Sequence, residues 1–140
     1  MKKTILFLFL WIGSVVLSFG QTKGDAIIGE WMNEQKDAKF QIIKQDGSYF
    51  GKIIWGTGDQ NKDSKNPDSK LRNRALIGLV ILKNFVFDGK NTWEDGTIYD
   101  PREGKTYSCN ITLKGINQMH LRGFVGISLF GRTEIWHRIK

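Results

Sequence analysis

A chain of 140 residues, a quarter of them charged, is long enough for one hydrophobic core and too short for two. Its single cysteine, Cys109, excludes an internal disulfide, so stability must come from packing. The formal charge of +7 comes from Lys and Arg scattered among Asp and Glu, a pattern of solvated surface that argues against a nucleic-acid partner.

Met1-Lys2-Lys3-Thr4 precedes an apolar run from Ile5 to Leu17, and small residues follow at Ser18 and Gly20. A basic start, a short apolar stretch and small residues before the junction predict a secretory signal peptide over residues 1–20. A membrane anchor would need about 20 apolar residues. This run is shorter and is broken at Gly13-Ser14. No cysteine follows it to carry a lipid, so the expectation is a soluble chain exported to the periplasm or beyond, with residues 21–140 as one domain. Loss of Lys2 and Lys3 from the +7 leaves +5.

Beyond residue 21, helix signals are scarce and period-two alternation recurs. Tyr107, Cys109, Ile111 and Leu113 alternate with Thr106, Ser108, Asn110 and Thr112; Met119, Leu121, Gly123 and Val125 alternate with Gln118, His120, Arg122 and Phe124. The pattern predicts eight strands, at 27–33, 39–45, 48–55, 77–87, 91–99, 104–113, 117–125 and 131–139. Asp46-Gly47, Asp88-Gly89-Lys90-Asn91, Arg102-Glu103-Gly104 and Gly115-Ile116-Asn117 supply hairpin turns. The expected fold is therefore all-β, an eight-stranded antiparallel up-and-down barrel. Closure removes the two edges that an open sheet would expose.

Gly29-Glu30-Trp31 at the first strand resembles the Gly-x-Trp signature of lipocalins and other calycins, in which the Trp closes the barrel floor and a basic residue of the last strand packs over it. In Trp136-His137-Arg138, Arg138 stands where that residue would be. These four residues, Gly29, Trp31, Trp136 and Arg138, are expected to be structural.

One connection breaks the hairpin pattern, residues 56–76. Asp59, Asn61 and Asp63 alternate as the first ligands of an EF-hand loop do, yet Ser64 replaces the glycine and Lys70 the bidentate Glu, so no calcium or other metal site is expected. Asp63, Asn66, Pro67 and Asp68 are expected to make turns instead. Long loops in compact domains are often functional. Arg72 and Arg74 could face an acidic ligand, or pair with Asp63, Asp68 or Asp100 to pin the loop.

"DSKNPDSKLRNRALIGL" at 63–79, "WEDGTIYDPREGKTYSC" at 93–109, "LRGFVG" at 121–126 and "EIWHR" at 134–138 together resemble the exported bacterial domain-of-unknown-function family 2147 (DUF2147). Its pattern places motif residues at Asn66, Pro67, Asp68, Asp100, Pro101, Gly104 and Lys105, and departs at Ala75, where the family often has Pro. The resemblance implies a calycin-like barrel and an exported location, and it implies no activity.

No nucleophile–base pair is evident. Cys109 falls on the apolar face of its strand, as an inert thiol would. His120 and His137 lack a third metal ligand. Glu94, Asp95, Asp100 and Glu103 could serve as hydrolytic carboxylates beside Trp93, Tyr99 and Tyr107, although Asp100 to Gly104 reads first as a turn. Gly56-Thr57-Gly58 precedes no helix and is too short for a nucleotide loop. No cofactor is expected. An apolar face with Phe40, Ile42, Ile53, Trp55, Trp93, Tyr99, Tyr107, Ile111, Leu121 and Val125 suits a small apolar or amphipathic ligand. Trp55, Arg72, Arg74, Trp93, Tyr99, Tyr107 and Arg122 are its candidate contacts, the arginines near an acidic group at the mouth. The alternatives are an envelope protein-interaction module with a filled barrel, making peripheral contacts only, and a hydrolase acting on envelope lipid or glycan.

Overall fold

In the computed structural model, which describes residues 23–139, eight antiparallel strands close into a barrel. They are β1 (Gly29–Met32), β2 (Ala38–Gln45), β3 (Ser48–Gly56), β4 (Val80–Phe87), β5 (Thr92–Asp100), β6 (Lys105–Lys114), β7 (Gln118–Phe124) and β8 (Arg132–Arg138). Each pairs with its sequence neighbour, and β8 returns to β1 through Trp31↔Arg138 and Met32↔His137. The stretch read as a signal peptide lies outside the described residues.

Because the strands alternate in direction, the tight turns after β2, β4 and β6 gather at one end with the start of β1 and the finish of β8. Loops 33–37, 57–79, 101–104 and 125–131 gather at the other. The first end is closed. Lys23–Ile27, expected in part as strand, forms a 3-10 turn that plugs it, with Ile27 wholly buried. Two buried indoles explain why the chain turns inward here: Trp31 Nε1 donates to the Ile27 carbonyl at 2.9 Å and Trp93 Nε1 to that of Gly24 at 3.1 Å. The Arg138 guanidinium lies 4.3 Å from the Trp31 ring centre and donates to the carbonyls of Ala26, Ile28 and Ile116. A cation over an indole face is worth about 0.5–2 kcal/mol. Here it also satisfies the last carbonyls of the plug.

Inside, Phe40 stacks on Trp136 at 4.0 Å, Tyr49 meets Trp93 edge-on, and Ile42, Ile53, Leu82, Phe85, Ile111, Met119 and Leu121 complete one continuous core. Phe85 packs where a side chain at position 96 would stand, so only glycine fits at Gly96.

Bulges change which residues face inward: on β4, Leu82 pairs with Gly51 but Phe85 with Tyr49, three steps against two, with a positive φ of 63° at Asn84. Phe40 pairs with Ile53 but Lys39 with Trp55, so Ile54 is an extra residue and Trp55 is turned to the outside. Trp93 pairs with Ile111 but Gly96 with Cys109, three steps on β5 against two on β6, marked by a positive φ of 62° at Asp95. A single inserted residue inverts every later side chain. Hence Ile98 rather than Tyr99 shares the inner face. Val125 lies past the end of β7 and is exposed. The expected strand 77–87 likewise starts only at Val80, because residues 76–79 belong to the long loop, with Ile53 and Leu79, and Gly78 and Ile53, joined by backbone hydrogen bonds.

Candidate functional site

The loop 57–79 is folded around one carboxylate. Asp63 is fully buried, accepts from Tyr99 Oη at 2.5 Å on Oδ1, and from Asn66 Nδ2 and Arg74 Nε, each at 2.8 Å, on Oδ2. Its backbone N–H donates to the Arg74 carbonyl and its carbonyl accepts from Asn66. Burial pushes the Asp63 pKa up, but the hydrogen bonds from Tyr99, Asn66 and Arg74 and the charge of Arg74 outweigh it and hold the carboxyl below its ordinary value. Tyr99 shifts the other way: burial first, then the Asp63 carboxylate, pushes its phenol up to about 12. Asp68 caps Lys70 N–H at 3.0 Å, and Asn66 Oδ1 accepts from Asp68 N at 2.8 Å, the turn roles expected of them. Arg72 Nε donates to the Asn66 carbonyl at 2.8 Å. Of the two uses open to Arg72 and Arg74, the observed bonds are those that pin the loop.

The turn Asp100–Gly104 supports the same loop. Gln60 Nε2 donates to the Pro101 carbonyl at 3.0 Å, and a Cβ at Gly104, where φ is 69°, would overlap the Lys65 carbonyl. Asp100 accepts from Arg102, and Glu103 accepts from Tyr107 Oη at 2.5 Å, so both carboxylates are engaged locally. Lys105 opens β6 opposite Asp100. Glu94 and Asp95 line, with Thr97, Ser108, Asn110 and Phe124, an open depression of about 370 Å³ at the β5 bulge, outside the barrel. A second, smaller depression of about 290 Å³ lies at Met32, Asn33, Lys36 and His137. Among the described residues no group of three or more His, Cys, Asp and Glu is placed to hold a metal.

Of the seven expected ligand contacts, Tyr99 and Arg74 meet on Asp63 and Arg72 braces the same loop, while the other four lie apart. Trp55 is outside beneath Lys39, whose Nζ lies 4.9 Å from its ring. Trp93 is in the core at the closed end, Tyr99 faces the long loop, and Arg122 sits on the outer face, bonded to Thr133 Oγ1 and the Leu129 carbonyl. Only Tyr107 reaches the open end on the inner register.

Sequence reasoning passed over the polar groups that are inside. Leu121 pairs with Glu134 and Met119 with Trp136, so Glu134 and Trp136 share the inner face of β8. Trp136 is 2 % exposed, and its Nε1 has no partner in bonding geometry, although it lies close enough to the Glu134 carboxylate to favour its charge. Burial nonetheless dominates and pushes the Glu134 pKa up, against the Trp136 N–H and the charge of Arg102. Cys109 faces the same region; burial, then the Glu134 charge, pushes its thiol up to about 12 and leaves it unreactive. The signal for Glu134 was present: it stands two residues before a buried Trp, on the same side of a strand.

A closed eight-strand meander, floored by a Trp–Arg pair and carrying two polar groups on its inner face toward the loop end, defines a lipocalin-like barrel. The chain belongs to the DUF2147 family, uncharacterized proteins conserved in bacteria, whose pattern matches residues 29–138. A solved structure, protein HP1028 from Helicobacter pylori, described as belonging to the lipocalin family, has the same fold: TM-score 0.74 at 23% identity, covering 81% of this chain and 82% of that one. No curated protein sequence matches the chain.

Proposed function

We propose that this barrel, acting outside the cytoplasm, binds a small amphipathic molecule at its open end. The ligand's polar head would meet Trp136 Nε1 and Glu134, and its apolar part the upper inner wall around Leu121 and Ile98. The observation that carries this reading is the pair itself: a buried indole N–H without a partner beside a half-buried carboxylate of raised pKa. Buried polar groups are ordinarily satisfied, and an exception invites a functional account. The core fills the barrel from Trp136 to the plug, which limits a ligand to the upper part. Because the inner acid is a carboxylate, it favours a head that donates hydrogen bonds, an alcohol or amine, over a carboxylate. That reverses the acidic head expected from Arg72 and Arg74, whose observed bonds brace their own loop.

The test is saturable binding of the fluorescent probe N-phenyl-1-naphthylamine, displaced by dodecanol or dodecylamine more readily than by dodecanoate. Trp136→Phe keeps the ring stacked on Phe40 but removes the N–H, and should weaken dodecanol about three- to tenfold, the worth of one hydrogen bond. Glu134→Gln should narrow the gap between alcohol and carboxylate. A probe that does not bind, or affinities unchanged in both variants, would sink the reading.

A further inference from the structure

The connection between β7 and β8 carries the most exposed apolar side chains of the described structure. Val125 is 74 % exposed, Ile127 57 %, Leu129 75 % and Phe130 78 %. Two of them stand on a 3-10 turn, Ser128–Phe130, and the Arg122 guanidinium brackets the loop by donating to the Leu129 carbonyl at 3.3 Å and to Thr133 Oγ1 at 3.0 Å. Four large apolar side chains within six positions at one tip are more than a soluble surface scatters at random.

We propose that this loop docks the open end of the barrel onto an anionic lipid bilayer. Three observations select that occupant. Residues 122–132, Arg-Gly-Phe-Val-Gly-Ile-Ser-Leu-Phe-Gly-Arg, contain two arginines and no acid, the interfacial pattern of apolar tip and basic flanks. A second copy of the chain would bring four such arginines together, with no carboxylate from either loop to meet them. The outer strand faces carry Lys52, Lys83, Glu94 and Asn110 beside scattered apolar residues such as Trp55 and Val86, with no continuous apolar band, so bilayer contact ends at the tip and the barrel does not enter the hydrocarbon. The open end then faces the lipid. The inference stands apart from the proposed ligand site, which is assayed without vesicles.

The experiment is flotation of the full chain with phosphatidylglycerol–phosphatidylcholine vesicles and with phosphatidylcholine alone. The chain should float with the anionic vesicles, at least about tenfold more weakly with the neutral ones, and less as salt rises. Leu129→Ser with Phe130→Ser should reduce flotation at least about tenfold without lowering the melting temperature, since both side chains are already in water. Val125→Ser with Ile127→Ser is the second variant should the first fold poorly. Arg132→Gln should weaken binding to anionic vesicles severalfold and leave the neutral case unchanged. Absence of flotation, or flotation indifferent to both double variants, would overturn the proposal. So would a concentration-dependent dimer that the serine variants abolish while vesicle binding stays nil.

Discussion

The two ends of the barrel solve opposite problems. At the closed end the Trp31 and Trp93 N–H groups each have a carbonyl, those of Ile27 and Gly24, and Arg138 donates to the carbonyls of Ala26 and Ile28. At the open end an indole N–H of the core has no bonded partner, a carboxylate sits inside with its pKa raised, and four apolar side chains face water. The contrast teaches where the molecule is stabilised and where it remains available for contact. At the floor the buried indoles of Trp31 and Trp93 are both paired. Features that cost stability are collected at the mouth, as expected where residues are retained for binding.

The largest test of that contrast is Trp31→Ala, which should cost about 3–5 kcal/mol in urea unfolding, because a filled floor cannot collapse around the lost ring. Asp63→Ala, at the open end, should cost about 2–3 kcal/mol by removing the acceptor of three side-chain donors. A larger loss at Asp63 than at Trp31 would break the division between the ends.

The Asp63–Tyr99 pair also sets a pH dependence with two arms. The folded carboxyl titrates below its unfolded value, so its contribution is present above that value, near 3.8, and is lost as the pH falls through the lower folded one. The folded phenol titrates near 12 against 10.0 unfolded, so its contribution is full below 10 and disappears as the pH rises from 10 to about 12. Comparing unfolding curves of the wild type and Tyr99→Phe should show a steeper alkaline arm in the former, the remainder coming from Cys109 and Tyr107, with a cost near neutrality of about 1 kcal/mol for the lost bond. Identical alkaline slopes would mean that Tyr99 does not hold its proton on Asp63.

The smallest effect is the most diagnostic of the mouth. The folded pKa of Glu134 is raised, so its charge destabilises the barrel above that pKa and the penalty vanishes below the unfolded value. Glu134→Gln should thus leave stability at pH 7 unchanged or raise it by up to about 1 kcal/mol, read by thermal unfolding. A clear loss would show the carboxylate to be a structural member of the core.

The eight strands and their turns could be read from the chain because each is a local pattern: alternation, then Gly, Asn or Asp. Inward and outward could not be carried past Ile54, Asn84 or Asp95. A bulge is one residue that pattern alone does not announce, and it moved Trp55 and Tyr99 to the outside. The same change of face made Tyr99 the partner of Asp63. The other ties of that carboxylate, to Asn66 and Arg74, lie three and eleven positions away along a loop with no period to reveal them. The plug was missed for a related reason, since Ile27-Ile28 reads as strand until Trp31 and Trp93 are known to need carbonyls above them.

The seam between the first and last strands has a consequence in time. Every other hairpin joins neighbours in sequence, whereas Trp31 and Arg138 meet across nearly the whole chain, and only two residue pairs register β1 against β8. Contacts of such separation form late and slow the search for the native state. Until Arg138 reaches the Trp31 ring, the growing sheet has two bare edges, each able to pair with another chain. The clamp at the floor is therefore also the step that ends the molecule's exposure to aggregation, and its amides should be where exchange with deuterium first betrays reopening.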